Sequence, residues 1–285
     1  MPINDEQLSA RKTPGRLTVR LGTGPVILAG LLLVWEILVH TLEIWSSAFP
    51  SPSRVLLEIW RNAPELRSHA SVTGLESLGG LLLACAAALP LAAFAVRSRL
   101  ARNILMPVLA FLQKIPLIAL APLIVVWYGF GMVPAVVICF LACFVPCARN
   151  FLAGLDSVPV ETVEILRTLG AGTSKLSYTV YLPACLPYAA NAIKMSIPLA
   201  LAGATITEFV GADAGLGYLM FNAGSKADST QLFAALTVLL LIALCAHAIL
   251  TFIQRLWIPW ATPEPMPTNM EYGIGIGNKL QDRRN

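Results

Sequence analysis

Long apolar runs separated by short polar connections are the feature that most constrains this chain. A helix that crosses a membrane needs about 20 consecutive, mostly apolar residues. Six stretches meet or approach that requirement: 25–45, 72–96, 104–130, 133–151, 186–210 and 232–257. Lipid offers no partners to backbone N–H and C=O groups, so each stretch must satisfy them within a helix. The sequence therefore predicts an all-α integral membrane protein with six transmembrane helices.

Composition supports this class and disfavours others. Only 13% of the 285 residues are charged, against about 25% in soluble domains, and the mean hydropathy is +0.71. The net charge of +4 comes from scattered basic residues, which argues against a nucleic-acid partner. Cys139, Cys143 and Cys147 recur every fourth residue, so they share one helix face. We expect them to be packing residues rather than metal ligands.

Two of the apolar runs have irregular features. Gln113, Lys114, Pro116 and Pro122 interrupt the third run, which predicts a bent helix or a short surface helix that leads into a shorter span. The first run is followed by a short segment, 46–48, that faintly resembles a signal-peptide cleavage site. The length and the charges of that run favour a retained span.

The basic residues predict the orientation in the membrane. With both termini in the cytoplasm, 14 Lys and Arg residues lie in inside segments and four in outside segments, as the positive-inside rule requires. The predicted organisation is a cytoplasmic tail (1–24), a transmembrane domain (25–258) and a flexible Pro- and Gly-rich tail (259–285). On the outer side, Ser53 is the predicted N-cap of an amphipathic interfacial helix.

A polar stretch on the cytoplasmic side, about 158–176, is predicted to form a helix outside the membrane. Pro159 and Glu161 suit a first turn, and Gly170 suits a left-handed cap that ends the helix. Thr173 or Ser174 then offers a fresh helix start. The stretch also carries apolar side chains at Val160, Val163, Ile165, Leu166 and Leu169. This apolar surface must contact either the membrane domain or another protein.

The same stretch resembles the cytoplasmic signature loop of bacterial ABC importer permeases. That signature is E-A-A, three residues, G, nine residues and I-x-L-P. Here Glu164, Gly170 and Leu182-Pro183 keep both spacings, while Ile165 and Leu166 replace the two alanines. Further segments resemble the nitrate, sulfonate and taurine branch: "WE" at 35–36, "FPSPS" at 49–53, "IPLIALAPLIVVWYGFG" at 115–131, "LPACLPY" at 182–188 and "TEFVGADAGLGYL" at 207–219.

The resemblance implies a type I importer permease (MetI-like) fold in the bacterial inner membrane. Its implied partners are a second copy of the chain, a dimer of cytoplasmic ATPases that hold ATP and Mg, and an extracytoplasmic solute-binding protein. The implied cargo is a small organic anion such as a sulfonate or taurine, or nitrate; bicarbonate and a neutral or cationic vitamin precursor remain open. The chain itself lacks the ATP-binding motif G-x-x-x-x-G-K-[ST], so we expect a transport subunit without catalytic residues or cofactors. The implied ATPase-coupling residues are Glu161, Glu164, Arg167, Gly170, Leu182 and Pro183.

Polar and flexible residues at membrane depth are candidates for the transport pathway or its gating, because charge there is costly. These candidates are Glu36, Glu76, Pro198, Glu208, Gly215 and Gly217. Structural alternatives remain open. Glu36 and Glu76 could pair with each other or with Lys194 or Lys114. Glu208 could cap the turn that follows it, and the glycines could allow close packing of helices. The alternative function is an ion-coupled secondary transporter that uses the glutamates as a proton relay and needs no ATPase.

Overall fold

A computed structural model describes residues 23–41 and 49–260, and the regular elements of that part of the chain are helical. They are α1 (Thr23–Thr41), α2 (Pro52–Arg61), α3 (Ala63–Arg97), α4 (Arg99–Leu112), α5 (Leu117–Tyr128), α6 (Met132–Asp156), α7 (Val160–Thr168), α8 (Thr173–Leu176), α9 (Leu182–Gly211), α10 (Leu216–Ser225) and α11 (Ser229–Trp257). A π-helical turn, Ser177–Tyr181, joins α8 to α9. The segment 46–48 and most of both predicted tails lie outside the described residues.

The all-α prediction is confirmed. Among the described residues, α3, α6, α11 and the unit from α8 through α9 are long and apolar enough to cross a membrane. The pair α4 and α5 is bent by 93° and would be a fifth span if it crosses as one unit. The apolar part of α1, Ala29–Thr41, is shorter, so the count of six spans stays a prediction.

The bend between α4 and α5 confirms the irregularity predicted for the third apolar run. Ser98 caps the start of α4 by accepting a hydrogen bond from the Ala101 N–H at 3.3 Å. At the other end, Pro116 has no N–H and an extended backbone (ψ 102°), so α4 cannot continue through it. The helix stops at Leu112, and α5 starts in a new direction at Leu117.

The core forms where α6 packs between α3 and α9. Small side chains let these helices approach closely: a Cβ on Gly80 of α3 would overlap Cys139, and one on Gly203 of α9 would lie 3.2 Å from the Cys139 backbone. Cys139, Cys143 and Cys147 are fully buried. The Cys139 thiol donates to the Ala200 carbonyl at 3.1 Å, so the structure uses this cysteine face for packing against α9.

The chain directions define two ends of the bundle. At the α7 end, α3 and α6 finish, α4 begins and the unit of α8 and α9 enters. At the α10 end, α9 finishes and α3, α10 and α11 begin. The last helix, α11, packs on α10 and α2 through Ala234 and Ala235 and also contacts α9, while its apolar side chains Leu240, Leu244, Ile249 and Phe252 point outward.

Two details at the α10 end differ from the sequence predictions. Helix α2 begins at Pro52 with Ser51 as its N-cap, so the assignment of Ser53 as the cap is wrong. Proline favours the first helical position, and this places Ser53 inside the first turn. Helix α10 is not among the predicted elements, because its ten residues lie between the glycine-rich turn and α11 and are too few to span a membrane.

Candidate functional site

The α7 end presents a short helical segment that lies between α6 and α9. We call residues 160–176, which comprise α7, a turn and α8, the coupling segment. Pro159 is the N-cap of α7, and Glu161 lies in its first turn, near the positive end of the helix dipole. Helix α7 ends at Thr168 and α8 begins at Thr173, so the break predicted at Gly170 and the fresh start predicted at Thr173 or Ser174 are both present.

The turn at Gly170 is a Schellman motif. The Gly170 N–H donates to the Arg167 carbonyl at 2.9 Å, and the Ala171 N–H donates to the Leu166 carbonyl at 2.9 Å. Gly170 has φ +83°, a left-handed conformation that glycine adopts without a steric penalty. This agrees with the left-handed cap that the sequence predicted at Gly170.

The second half of the coupling segment runs into α9 without a loop. Leu176 is buried, and the Leu182 N–H donates to the Ser177 carbonyl across the π-helical turn. Pro183 is the second residue of α9 and follows the π-helical turn directly. Leu182 stays 49% exposed. A displacement of α8 would therefore act directly on the start of α9.

The coupling segment exposes both charged and apolar side chains. Glu161, Glu164 and Arg167 are all on its surface. Large apolar side chains are exposed beside them: Val160 (67%), Ile165 (60%) and Leu169 (78%). Val163 alone on α7 is buried. An apolar surface of this kind outside the membrane-spanning helices is typical of a contact with another protein.

An ion pair ties the start of the coupling segment to the bundle. Arg102 on α4 contacts Asp156, the last residue of α6, at 2.7 Å. Nearby, Gly154 packs closely on α9, where a Cβ would lie 3.0 Å from Tyr188 Cβ. The polypeptide that leads into α7 is therefore held by both α4 and α9.

The first N–H groups of α10 are each received by a side chain from a neighbouring helix. The Gly215 N–H donates to His69 Nδ1 at 3.0 Å, and the Leu216 N–H donates to Thr73 Oγ1 at 2.8 Å. The Gly217 N–H donates to Glu208 Oε2 at 2.5 Å. Helix N-termini leave such donors unpaired unless a cap supplies acceptors. Glu208 therefore caps the turn that follows it, which is the structural alternative that the sequence left open for this residue.

Gly215 and Gly217 allow the Glu208 carboxylate to approach the backbone this closely. Gly215 has φ +111°, and a Cβ there would overlap the carboxylate. A Cβ on Gly217 would lie 2.8 Å from Glu208 Oε2. The three residues therefore form one packed unit at the α10 end.

Glu76 and Glu36, by contrast, lie in separate environments. Glu76 on α3 is 3% exposed and lies one turn after Thr73, which bonds to Glu208. Glu36 on α1 accepts hydrogen bonds from the Ser53 hydroxyl at 2.7 Å and the Ser53 N–H at 3.1 Å, and it contacts His40 at 3.2 Å. The suggested Glu36–Glu76 and lysine pairings are therefore not the ones observed. Glu36, on α1, instead accepts hydrogen bonds from Ser53 in the first turn of α2.

Pro198 does not interrupt α9, which is a single helix from Leu182 to Gly211. Its neighbours face an apolar groove of about 530 Å³ between α3, α9 and α11. The lining includes Ser77, Leu81, Ile197, Leu201, Ile242 and Leu250. Sequence reasoning missed His69 and Thr73, because their role depends on a helix, α10, that it did not predict.

Comparisons with known proteins match most of the chain. The family described as "Binding-protein-dependent transport system inner membrane component" matches residues 80–262. The riboflavin transport system permease protein RibX of Chloroflexus aurantiacus is 33% identical over 238 residues, which are 83% of this chain and 89% of RibX. The taurine transport system permease protein TauC of Escherichia coli is 28% identical over 270 residues, 90% of this chain and 96% of TauC.

A solved structure shares the fold. A chain of the MetNI methionine ABC transporter in an inward-facing conformation matches with a TM-score of 0.52 at 18% identity. The match covers 72% of this chain and 98% of that chain. The helical arrangement described above is therefore a MetI-like permease fold.

Proposed function

Because the chain belongs to the family of binding-protein-dependent transport system inner membrane components, we propose that it is the transmembrane subunit of an ATP-driven bacterial importer whose ATPase docks on the coupling segment. The family implies a cytoplasmic ATPase and a solute-binding protein as partners. In this proposal ATP and Mg are held by the ATPase, two copies of the chain surround one pathway, and both termini are cytoplasmic. The chain performs transport and no covalent chemistry.

One observation carries the docking proposal: the coupling segment exposes apolar side chains outside the membrane-spanning helices. Ile165 is 60% exposed and Leu169 is 78% exposed. In the sequence, the exposed Glu164 precedes Ile165, and the exposed Arg167 lies between the two apolar residues. A protein groove with apolar walls and complementary charges at its rim fits this surface. Ile165 and Leu166, where the resembling family has alanines, require a groove that accepts larger side chains.

The proposed mechanism follows from the attachments of the coupling segment. Closure of the ATPase dimer displaces α7. The ion pair between Arg102 and Asp156 passes part of that displacement to α4 and α6. The continuous path through Leu176 and the π-helical turn passes another part to α9. Helices α3, α6 and α9 then rock between inward-open and outward-open states.

Glu164→Lys tests the docking proposal. The substitution reverses an exposed charge at the proposed interface, so co-purification of the co-expressed ATPase should fall about tenfold or more. The matched control is Arg54→Glu, a charge reversal in the first turn of α2 at the opposite end of the bundle. Membrane insertion should be normal in both variants. If Glu164→Lys retains the ATPase as the wild type does and transports at the wild-type rate, the segment is not the docking site.

We propose a small organic anion such as a sulfonate or taurine, or nitrate, as the cargo. The resembling segments and the 28% identity to TauC support this class. RibX, at 33% identity, is named for riboflavin, so a similar permease can serve a different solute. The test is ATP-driven uptake by the reconstituted complex with its binding protein, with taurine, an alkanesulfonate, nitrate and riboflavin offered separately. Uptake of riboflavin alone would contradict the anion proposal.

A further inference from the structure

Two glutamate side chains meet inside the α10 end of the bundle. Glu76 from α3 is 3% exposed and Glu208 from α9 is 1% exposed. Thr73, one turn before Glu76 on α3, donates to Glu208 Oε1 at 2.7 Å, so the two carboxyl groups are neighbours inside the bundle. An ionised carboxylate can only accept hydrogen bonds. Two carboxyl groups can therefore bond to each other only when one of them carries a proton.

The surroundings of Glu208 are those of the ionised partner. Its Oε1 accepts from the Thr73 hydroxyl at 2.7 Å, and its Oε2 accepts from the Gly217 N–H at 2.5 Å. It also lies at the N-terminus of α10, where the helix dipole favours negative charge. Both of its oxygens are thus used as acceptors, as in other carboxylates that cap helices.

The surroundings of Glu76 are those of the neutral partner. Its Oε2 is buried and has no hydrogen-bond partner among the described residues. An ionised carboxylate left unpaired at such depth would cost far more than a neutral carboxylic acid. Two other titratable groups face the pair. His69 on α3 accepts from the Gly215 N–H through Nδ1, and the Cys139 thiol of α6 donates to a carbonyl.

We propose that Glu76 is held as a neutral carboxylic acid that donates a hydrogen bond to the Glu208 carboxylate. The pair binds one proton, and that proton joins α3 to the junction of α9 and α10. Glu76 acts as a positioning residue: it orients Glu208, which in turn fixes the first turn of α10. The inference concerns the α10 end and does not depend on the cargo or on the docking site of the ATPase.

Infrared spectroscopy of the full-length chain in lipid nanodiscs tests the protonation directly. A protonated carboxylic acid has a C=O stretching band that a carboxylate lacks. At neutral pH the wild type should show one such buried band, which Glu76→Gln should remove. A wild-type spectrum that loses no acid band on Glu76→Gln would overturn the proposal.

Thermal unfolding gives a second, independent readout. Gln donates from a neutral amide, so Glu76→Gln should keep the wild-type melting temperature at neutral pH, whereas Glu76→Leu, which has no donor, should lower it. Both variants keep His69 and Cys139, so the difference between Glu76→Gln and Glu76→Leu isolates the hydrogen-bond donor at position 76.

A bound cation is the rival explanation for two adjacent carboxyl groups. If both were ionised around a sodium or potassium ion, the wild-type melting temperature would rise with that ion. Glu76→Gln would then be strongly destabilising at every pH. Either result would overturn the proposal. Neither readout measures transport, so a failure here is distinguishable from a failure of the proposed function.

Discussion

Alanine substitutions at Gly215 and Gly131 separate the energetic cost of the backbone conformation from the cost of side-chain overlap. Gly215→Ala introduces a Cβ at φ +111° that would also overlap the Glu208 carboxylate. Gly131→Ala introduces a Cβ at φ +115° with nothing within 4 Å. We expect a loss of about 1–3 kcal/mol at Gly131 from the backbone alone. At Gly215 we expect a further loss of about 1–3 kcal/mol from overpacking.

The measurement for this pair is the free energy of unfolding of the detergent-solubilised chain. Equal losses in the two variants would mean that Glu208 can move aside and that the carboxylate is not held by the α10 turn. Both glycines have the same kind of backbone conformation and differ in what surrounds them, so unequal losses measure the contact with the carboxylate.

The sequence predicts which charged residues need a partner, but not which partner each one has. The cost of charge in lipid correctly identifies Glu36, Glu76 and Glu208 as residues that need a partner. It does not identify the partner, because a buried carboxylate can be stabilised by a helix N-terminus as well as by a cation. Glu208 bonds to Gly217, nine residues further on, and this contact exists only because α10 turns back toward α9. Whether any of the three also contacts cargo stays a prediction.

At the scale of elements, the contact between α3 and α6 depends on a small residue at a single position. A Cβ on Gly80 would overlap Cys139 and lie 2.8 Å from the Phe140 nitrogen. Gly80→Ala should therefore destabilise the bundle by about 1–3 kcal/mol. Gly74→Ala, in the same helix with nothing within 4 Å, should stabilise it by about 0.5–1 kcal/mol. Chemical denaturation followed by circular dichroism measures both, and a neutral Gly80→Ala would refute the close packing.

The turn of the coupling segment offers a second matched pair. Gly170 has φ +83° and Gly172 has φ −70°, and a Cβ added to either glycine would have no other atom within 4 Å. Gly170→Ala should cost about 1–2 kcal/mol locally, because the left-handed conformation penalises a side chain, whereas Gly172→Ala should cost nothing measurable.

The readout for this pair is hydrogen exchange of the Ala171 N–H, which bonds across the turn to Leu166. Exchange should accelerate about five- to thirtyfold in Gly170→Ala and stay unchanged in Gly172→Ala. Equal exchange in both variants would show that the Schellman turn does not depend on glycine.

The helices that sequence reasoning located are those with a continuous apolar pattern. The predicted stretch 133–151 lies within α6 and 186–210 lies within α9, with ends displaced by a few residues. The start of α3 at Ala63 lies well before the predicted residue 72, because its first turns are polar and carry no membrane signal. The coupling segment is located by its charge, and Gly170 together with Thr173 or Ser174 also predicts its division into α7 and α8.

At the scale of the whole molecule, the distribution of apolar surface describes a protein that is solvated by lipid. Helix α11 has no buried residue in its most apolar window, although the mean hydropathy of that window is 2.6. Helix α1 exposes Val26, Ile27, Leu31 and Leu33. In water such faces would drive aggregation, whereas in a bilayer they match the solvent. Part of this surface is also available to the second copy that the proposed function requires.

The orientation of the molecule in the membrane is testable from its two ends. The α7 end and the α10 end should lie on opposite sides, with the α7 end in the cytoplasm, because the basic residues favour that side. In a variant without its six native cysteines, Ser174→Cys on α8 and Ser225→Cys at the end of α10 place one thiol at each end. A membrane-impermeant thiol reagent applied to intact spheroplasts should modify the thiol at position 225 and leave that at 174 unmodified. Lysis should expose both, which controls for reactivity. The opposite pattern would reverse the orientation and move the coupling segment away from any cytoplasmic ATPase, and modification of both thiols in intact spheroplasts would contradict the two-ended bundle itself.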